Sequence, residues 1–405
     1  MIYLDNAATS WPKPESVYRT MDDFLRTKGG NPGRGSNTMA LAAGEAVEET
    51  RRLVARLINA PEANRIIFTL NCTDALNLGL KGLLKPGDHV ITDSIGHNSL
   101  VRPLRKLEQN GIKVTRVLPS PDTGFISPLD IEAAIIGDTR LIAVTHASNV
   151  NGVIQPIEEY GFVARKHNIA FMVDAAQTAG KYPIDVEASN IDLLAFSGHK
   201  GLFGPPGTGV LFIGSRVNLD TVREGGTGSF SEQEEQPEIL PDKYESGTIN
   251  SVGIAGLGAG LKFIFDESLD KIIAHEIFFT GKLIAGLRDI SGVALYLPKD
   301  LSQMVPVVSF NIKGYQPGEV GTILDQAFDI KVRAGLQCAP VAHKTLGTFP
   351  SGTVRLSPGY LNLAEEIEFT VKAVERIAGS RNPAKYSGNI FILPGSKKES
   401  TNWLR

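Results

Sequence analysis

AFMVDAAQTAGKYPIDVEASNIDLLAFSGHK, residues 170–200, holds two short apolar runs at 171–173 and 193–196, each followed at once by polar residues. Both runs are apolar throughout rather than alternating, which is how strands read when helices cover both faces of a largely parallel sheet. Working outward, β-branched runs of the same kind recur at 65–70, 89–92, 113–118, 141–145 and 210–213, with helical patterns between them. This rhythm predicts an α/β fold whose large domain has a mainly parallel seven-stranded sheet flanked by helices. In open sheets of this type, ligands gather beyond the strand C-termini. The polar residues at 71–74, 97, 146–149, 174–177 and 197–200 all follow such runs, so a single shared site is expected.

After about residue 250 the pattern changes to a long helical stretch over 255–287 and then to a mixed region. We expect an N-terminal segment 1–15 packing on both domains, a large domain 16–253, a smaller α+β C-terminal domain 254–380 and a tail 381–405. The tail is rich in Pro, Gly, Ser, Asn and Lys and has little periodicity, so it is expected to be poorly ordered.

A chain of 405 residues is long enough for about two packed domains. Forty-one Lys and Arg against 44 Asp and Glu, a net charge of −3, give no general pull toward nucleic acid. No apolar stretch approaches the roughly 20 residues of a membrane span, and residues 1–6 lack a signal-peptide pattern, so a cytoplasmic protein with no membrane partner is expected. The two cysteines, Cys72 and Cys338, exclude a disulfide framework and fit a reducing compartment. Cys338 and His343 have a ligand-like spacing without a second pair, so no metal site is expected.

The pairing of Asp174 with Lys200 is what pyridoxal phosphate chemistry requires. A lysine amine can hold pyridoxal as a Schiff base, and a carboxylate facing the pyridine nitrogen keeps the ring protonated, able to accept electrons released at a substrate's α-carbon. A carboxylate ending a buried strand needs a charged partner or several donors, and a pyridinium would be one. Gln177, one helical turn later, could donate to the ring's phenolic oxygen. Phosphate needs backbone donors and hydroxyls, which Asn71-Cys72-Thr73-Asp74-Ala75 offers at a strand-to-helix junction; an ordinary helix cap is the plainer reading of Asn71 or Thr73. Ser197 and His199 are further phosphate candidates. Gly204-Pro-Pro-Gly-Thr-Gly209 looks like the front of a nucleotide-binding loop, but Val210 and Leu211 stand where Lys and Ser or Thr are needed, so it reads as a tight turn beside Lys200. Cys338 lies in the glycine-containing segment Arg333-Ala-Gly-Leu-Gln-Cys-Ala-Pro340, where a thiol could ride on a mobile loop, with Arg333 and His343 near enough in sequence to favour a thiolate.

Tyr3-Leu-Asp-Asn-Ala-Ala-Thr9, Asn31-Pro-Gly-Arg-Gly35, His97-Asn-Ser, Ser148-Asn149, Asp174 with Gln177, Ser-Gly-His-Lys200, Glu245-Ser-Gly-Thr248, Arg333-x-Gly-x-x-Cys338-Ala and Val354-Arg-Leu-Ser357 together resemble the cysteine desulfurases. These are class V aminotransferases of pyridoxal phosphate fold type I, and the compact spacing around Cys338 is similar to their group II. The resemblance runs from residue 3 to about 375. It implies pyridoxal 5'-phosphate as cofactor, Lys200, Cys338 and His97 as catalytic residues, and Cys72, Thr73, His97, Asn149, Asp174, Gln177, Ser197, His199, Lys200 and Thr248 as cofactor-binding. His97 would stack on the ring and handle protons, and Thr248 would reach the neighbouring subunit's phosphate in a homodimer. Arg355, Asn149 and Ala8 would bind L-cysteine, with Arg355 clamping its carboxylate. The implied product is alanine, with sulfur left as a persulfide on Cys338 for an acceptor protein serving iron-sulfur cluster or thio-cofactor assembly. Selenocysteine lyase, cysteine sulfinate desulfinase and cystine lyase are the rival activities on the same machinery. The chain departs from the commoner pattern at Cys72, where threonine is usual, and at Gly96, Gly33 and Ala334.

Overall fold

The computed structural model describes residues 1–33, 37–120 and 123–380. The expected tail 381–405 and the Arg34-Gly35 end of the glycine motif lie outside the described residues. The strands are β1 (Ile2–Tyr3), β2 (Ile66–Thr69), β3 (His89–Asp93), β4 (Lys113–Val117), β5 (Thr139–Thr145), β6 (Ala170–Asp174), β7 (Leu193–Ser197), β8 (Gly209–Ile213), β9 (Val293–Tyr296), β10 (Val308–Ile312), β11 (Ile330–Lys331), β12 (Arg333–Gly335) and β13 (Thr353–Leu356). The helices are α1 (Glu15–Thr27), α2 (Thr38–Leu57), α3 (Cys72–Leu83), α4 (Asn98–Gln109), α5 (Pro128–Ala133), α6 (Ile157–Lys166), α7 (Ser251–Glu267), α8 (Leu269–Arg288), α9 (Pro317–Phe328), α10 (Pro340–Thr345) and α11 (Ala364–Ala378).

All seven runs read from the sequence form one sheet, in the order β2-β8-β7-β6-β5-β3-β4. From β7 through β4 the pairings are parallel, while β8 runs antiparallel to both β7 and β2. The direction follows from connection length: a parallel neighbour needs a long crossover, whereas the short segment 198–208 joins β7 directly to an antiparallel β8. Lys200 sits on that connection. Successive residues serve opposite faces, so Ile66 and Phe68 enter the core under α2 and α7 while Ile67 enters the core under α3 and α4.

A second sheet, β12-β13-β10-β9, is antiparallel and packs with α8, α9 and α11. The chain's first residues pack beside it: β1 pairs in parallel with β11 in a separate two-stranded sheet, Ile2 and Leu4 enter the same core, and Asp5 bridges to Ser357. The helical stretch expected over 255–287 is not continuous. Ser268, at φ +68°, breaks it, and its side chain accepts from the Lys271 amide at 3.3 Å to cap α8. A serine that can cap a new helix overrides the apolar pattern around it. Helix α7 sends Ile254, Leu257, Leu261 and Ile264 into the large-sheet core, whereas α8 sends Phe279, Leu283 and Leu287 into the other. Among the described residues, no helix is long and apolar enough to cross a membrane.

Candidate active site

The C-terminal ends of β2, β3, β5, β6 and β7 surround a cavity of about 380 Å³, closed on its far side by β12, β13 and the turn after β12. Ala8, Cys72, Thr73, His97, Asn149, Asp174, Gln177, Ser197, His199, Lys200, Cys338 and Arg355 line this cavity, whereas Thr248 does not: it is exposed, and its hydroxyl lies 3.5 Å from Asn31 Nδ2.

Asp174 ends β6 with its side chain buried. Its Oδ1 accepts from the Ala176 amide at 3.0 Å and from the Cys72 thiol at 3.4 Å, and no described residue donates to Oδ2. Burial pushes this carboxyl above its usual range, against the pull of the Ala176 amide and of Lys200. Burial likewise lowers the Lys200 amine, offset by Cys72 and Asp174, and no described residue hydrogen-bonds to it. Burial thus disfavours the charged form of each group, and the other group's charge works against it.

At one end of the cavity Asn71 caps α3, accepting from the Asp74 amide at 3.0 Å, and the Cys72 amide donates to Ser197 Oγ at 3.2 Å. A side chain on Gly209 would come within 2.4 Å of the Asn71 backbone, so a glycine is required for β8 to press against this turn. The Thr73 amide and hydroxyl have no protein partner among the described residues. His199 Nδ1 is buried without one, and burial, then Lys200 and Lys13, hold that imidazole at about 4, hence neutral. The N-terminal segment straps this turn through hydrogen bonds from Ser10 N and Thr9 Oγ1 to the His199 carbonyl, both 3.0 Å.

His97 caps α4: its Nδ1 accepts from the Ser99 amide at 3.1 Å, which puts the proton of the neutral ring on Nε2. Burial, then Lys200, Arg355 and Arg102, lower it to about 4. Gln177 donates to the Ala7 carbonyl at 3.0 Å, leaving its second amide hydrogen to the cavity. Arg355, on β13, is 3% exposed; Nη1 donates to the Asn149 carbonyl at 3.0 Å and Nη2 to Asp5 Oδ1 at 2.7 Å, while Nε is buried without a partner. Asp5 was not singled out from the sequence.

Cys338 is exposed on the cavity wall. Gln337 and Cys338 both have left-handed backbones, at φ +43° and +57°, a conformation that costs non-glycine residues about 1–2 kcal/mol each. Four hydrogen bonds pin the turn: Asn149 Nδ2 to the Gln337 carbonyl (2.8 Å), the Asn98 amide to the Cys338 carbonyl (2.8 Å), Gln337 Nε2 to the Thr353 carbonyl (2.7 Å) and His343 Nε2 with Gln337 Oε1 (3.0 Å). The expectation that His343 favours a thiolate is corrected here. Both of its ring nitrogens are engaged, Nδ1 with Thr348 Oγ1 at 2.7 Å, and burial lowers it to about 4, so it is an uncharged brace for Gln337. Arg333 does line the cavity with Cys338.

The class-V aminotransferase family model matches residues 2–369. The chain is 37% identical to a probable cysteine desulfurase of Methanothermobacter thermautotrophicus, covering 93% of this chain and 95% of that one. It is 31% identical to a cysteine desulfurase of Salmonella agona, covering 93% of each. The chain belongs to the class-V aminotransferases, among the cysteine desulfurases. The apo structure of the cysteine desulfurase from Thermococcus onnurineus superposes with a TM-score of 0.84 at 35% identity, covering 93% of this chain and 94% of that one.

Enzymes of this family work with pyridoxal phosphate, and the residues present fit that group. Asp174 lines the cavity and no described residue donates to its Oδ2, which leaves that oxygen for a pyridinium. Lys200 is an uncommitted amine in the same cavity, and the buried His199 Nδ1, the Thr73 amide and the start of α3 converge where an anionic group would be held.

Proposed function

We propose that the chain converts L-cysteine to L-alanine and keeps the sulfur as a persulfide on Cys338, for transfer to a thiol of an acceptor protein. What carries the reading is an exposed thiol, Cys338, on the wall of the cavity that Lys200, Asp174 and Arg355 share.

When bound, pyridoxal phosphate supplies the sink for charge left at the substrate's α-carbon. Asp174 would offer a carboxylate oxygen to the ring nitrogen, Thr73, Ser197 and His199 with the α3 N-terminus would hold the phosphate, Asn149 and Gln177 would serve the phenolic side, and His97 would serve the ring. Lys200, whose ammonium form burial disfavours, takes the α-proton. Arg355 offers Nε to the substrate carboxylate, and Asp5 balances the guanidinium while that carboxylate is absent. Ala8 bounds the same end. The Cys338 thiolate then attacks the substrate sulfur. The S–S bond forms as the C–S bond breaks, and the β-carbon leaves with the electron pair and takes a proton, so alanine and a persulfide balance cysteine and a thiol without an outside oxidant.

The exposed Thr248, outside its own chain's cavity, supports a homodimer in which it reaches the neighbouring phosphate. Iron-sulfur cluster or thio-cofactor assembly in the cytoplasm is the proposed use of the sulfur, and the division at 1–15, 16–253 and 254–380 remains our proposed domain scheme. The test quantifies alanine and sulfide from L-cysteine, with and without dithiothreitol, for wild type and Cys338→Ser. Alanine matched by reductant-released sulfide and lost in the variant supports the reading; alanine or pyruvate that survives the substitution refutes it.

A further inference from the structure

The first residue of α3 is Cys72, and its thiol is spent on Asp174 rather than on the cavity's anion-binding end. Sγ lies 3.4 Å from Oδ1, and the cysteine is 5% exposed. Burial, then the neighbouring carboxylate, push the thiol well above its ordinary range, so it stays protonated and is the donor of this contact. The Ala176 amide donates to the same oxygen at 3.0 Å. Oδ1 is therefore satisfied twice, and Oδ2 alone is left to the cavity.

The groups that face Asp174 are Cys72 from α3, Lys200 from the connection after β7 and Asp93 from β3. Lys200 is the only cation among them, and it lines the cavity rather than bonding the carboxylate. Apart from the Ala176 amide on its own turn, the thiol is the only described donor orienting this side chain.

We propose that Cys72 is a positioning residue for the cofactor: its S–H bond to Oδ1 sets the rotation of the Asp174 carboxyl so that Oδ2 meets the ring nitrogen. The inference rests on the reading of Asp174 as the partner of that nitrogen. It assigns this cysteine a task other than phosphate binding, which its place in the loop had suggested. It also explains how the position accommodates a cysteine, since a thiol and a hydroxyl can both donate there.

Threonine and valine have nearly the same shape and differ in the donor, so Cys72→Thr and Cys72→Val separate hydrogen bonding from packing. Each would be stripped of cofactor and titrated with pyridoxal phosphate, following the dissociation constant and the pH midpoint of the bound cofactor's visible band. We expect Cys72→Val to bind about tenfold more weakly, with a displaced midpoint, and Cys72→Thr to stay within about threefold of wild type, the scale set by a hydrogen bond to a charged group. Equal behaviour of Val and Thr, whether both impaired or both unchanged, overturns the proposal. If Cys72→Val does not fold, Cys72→Ala takes its place against Cys72→Thr. Asp174→Asn is the separate control: wild-type cofactor binding and spectrum in that variant would overturn the reading of Asp174 itself and the Cys72 proposal with it.

Discussion

Replacing Gln337 with leucine tests whether the turn before Cys338 is held for catalysis. The side chain is 4% exposed, and leucine preserves its bulk while removing the bonds to the Thr353 carbonyl and to His343 Nε2. Two hydrogen bonds at about 1 kcal/mol each, with a buried His343 nitrogen and Thr353 carbonyl left unmatched, put the loss of loop order at about 3 kcal/mol. That is comparable to the cost of the two left-handed residues the bonds offset, so the thiol should spend most of its time away from the substrate sulfur. We expect alanine formation to fall roughly ten- to a hundredfold with KM for L-cysteine little changed, because neither Lys200 nor Arg355 is touched. Rapid mixing with L-cysteine should still change the bound cofactor's absorbance at the wild-type rate. Wild-type alanine formation would refute the reasoning, and so would an equal loss of the early absorbance change, which would mean general collapse of the site.

Asp5→Asn should leave Arg355 less balanced in the absence of substrate, and we expect substrate analogues that keep the carboxylate to bind severalfold more tightly, measured by the spectral shift of the cofactor. Mixed dimers of Lys200→Ala and Thr248→Ala chains should recover activity above that of either parent if Thr248 serves the neighbouring phosphate, because one site of each mixed dimer then keeps both residues; activity no higher than the average of the parents would argue against the shared site. His146, fully buried with neither ring nitrogen matched, is lowered by burial to about 3. The unfolded chain therefore takes up this proton first, and the stability it concerns is present above about pH 6.5 and lost as pH falls toward 3, so His146→Phe should gain on wild type by about 1.4 kcal/mol per pH unit in that window, about 2 kcal/mol between pH 7.5 and 5. Urea unfolding of both proteins at matched concentration reads the difference, and a pH-independent gap would refute it.

Strands were legible because uniformly apolar runs leave few other readings, yet the same uniformity hides direction. Val210 to Ile213 reads like any parallel strand, and only the short connection after β7 makes β8 antiparallel. The site was legible where chemistry sits at strand ends: Asp174, Lys200, Asn149 and His97 each follow an apolar run. Partnerships between distant segments were not. Asp5 with Arg355 and Asn149 with the Gln337 carbonyl join residues 350 and 188 positions apart, and no local periodicity encodes them. His343 failed in the opposite way, since closeness in sequence to Cys338 says nothing of which way a buried ring on α10 points.

Those distant bonds also link the proposed carboxylate clamp to the proposed sulfur acceptor. The Asn149 backbone carbonyl accepts from Arg355, while its side chain donates to the Gln337 carbonyl one residue before the thiol. Gln337 in turn holds Thr353, two residues before Arg355 on β13. A closed path therefore runs from Arg355 through Asn149 to the cysteine turn and back along a single strand. On the proposed reading, a substrate held by its carboxylate at Arg355 would be presented to a thiol whose turn Asn149 and Gln337 hold. The large sheet contributes Asn149 and the cofactor's lysine, and the second sheet contributes the arginine and the thiol. On that reading the reaction's two ends meet between the two sheets, and Asn149, in the segment after β5, bonds to both sides.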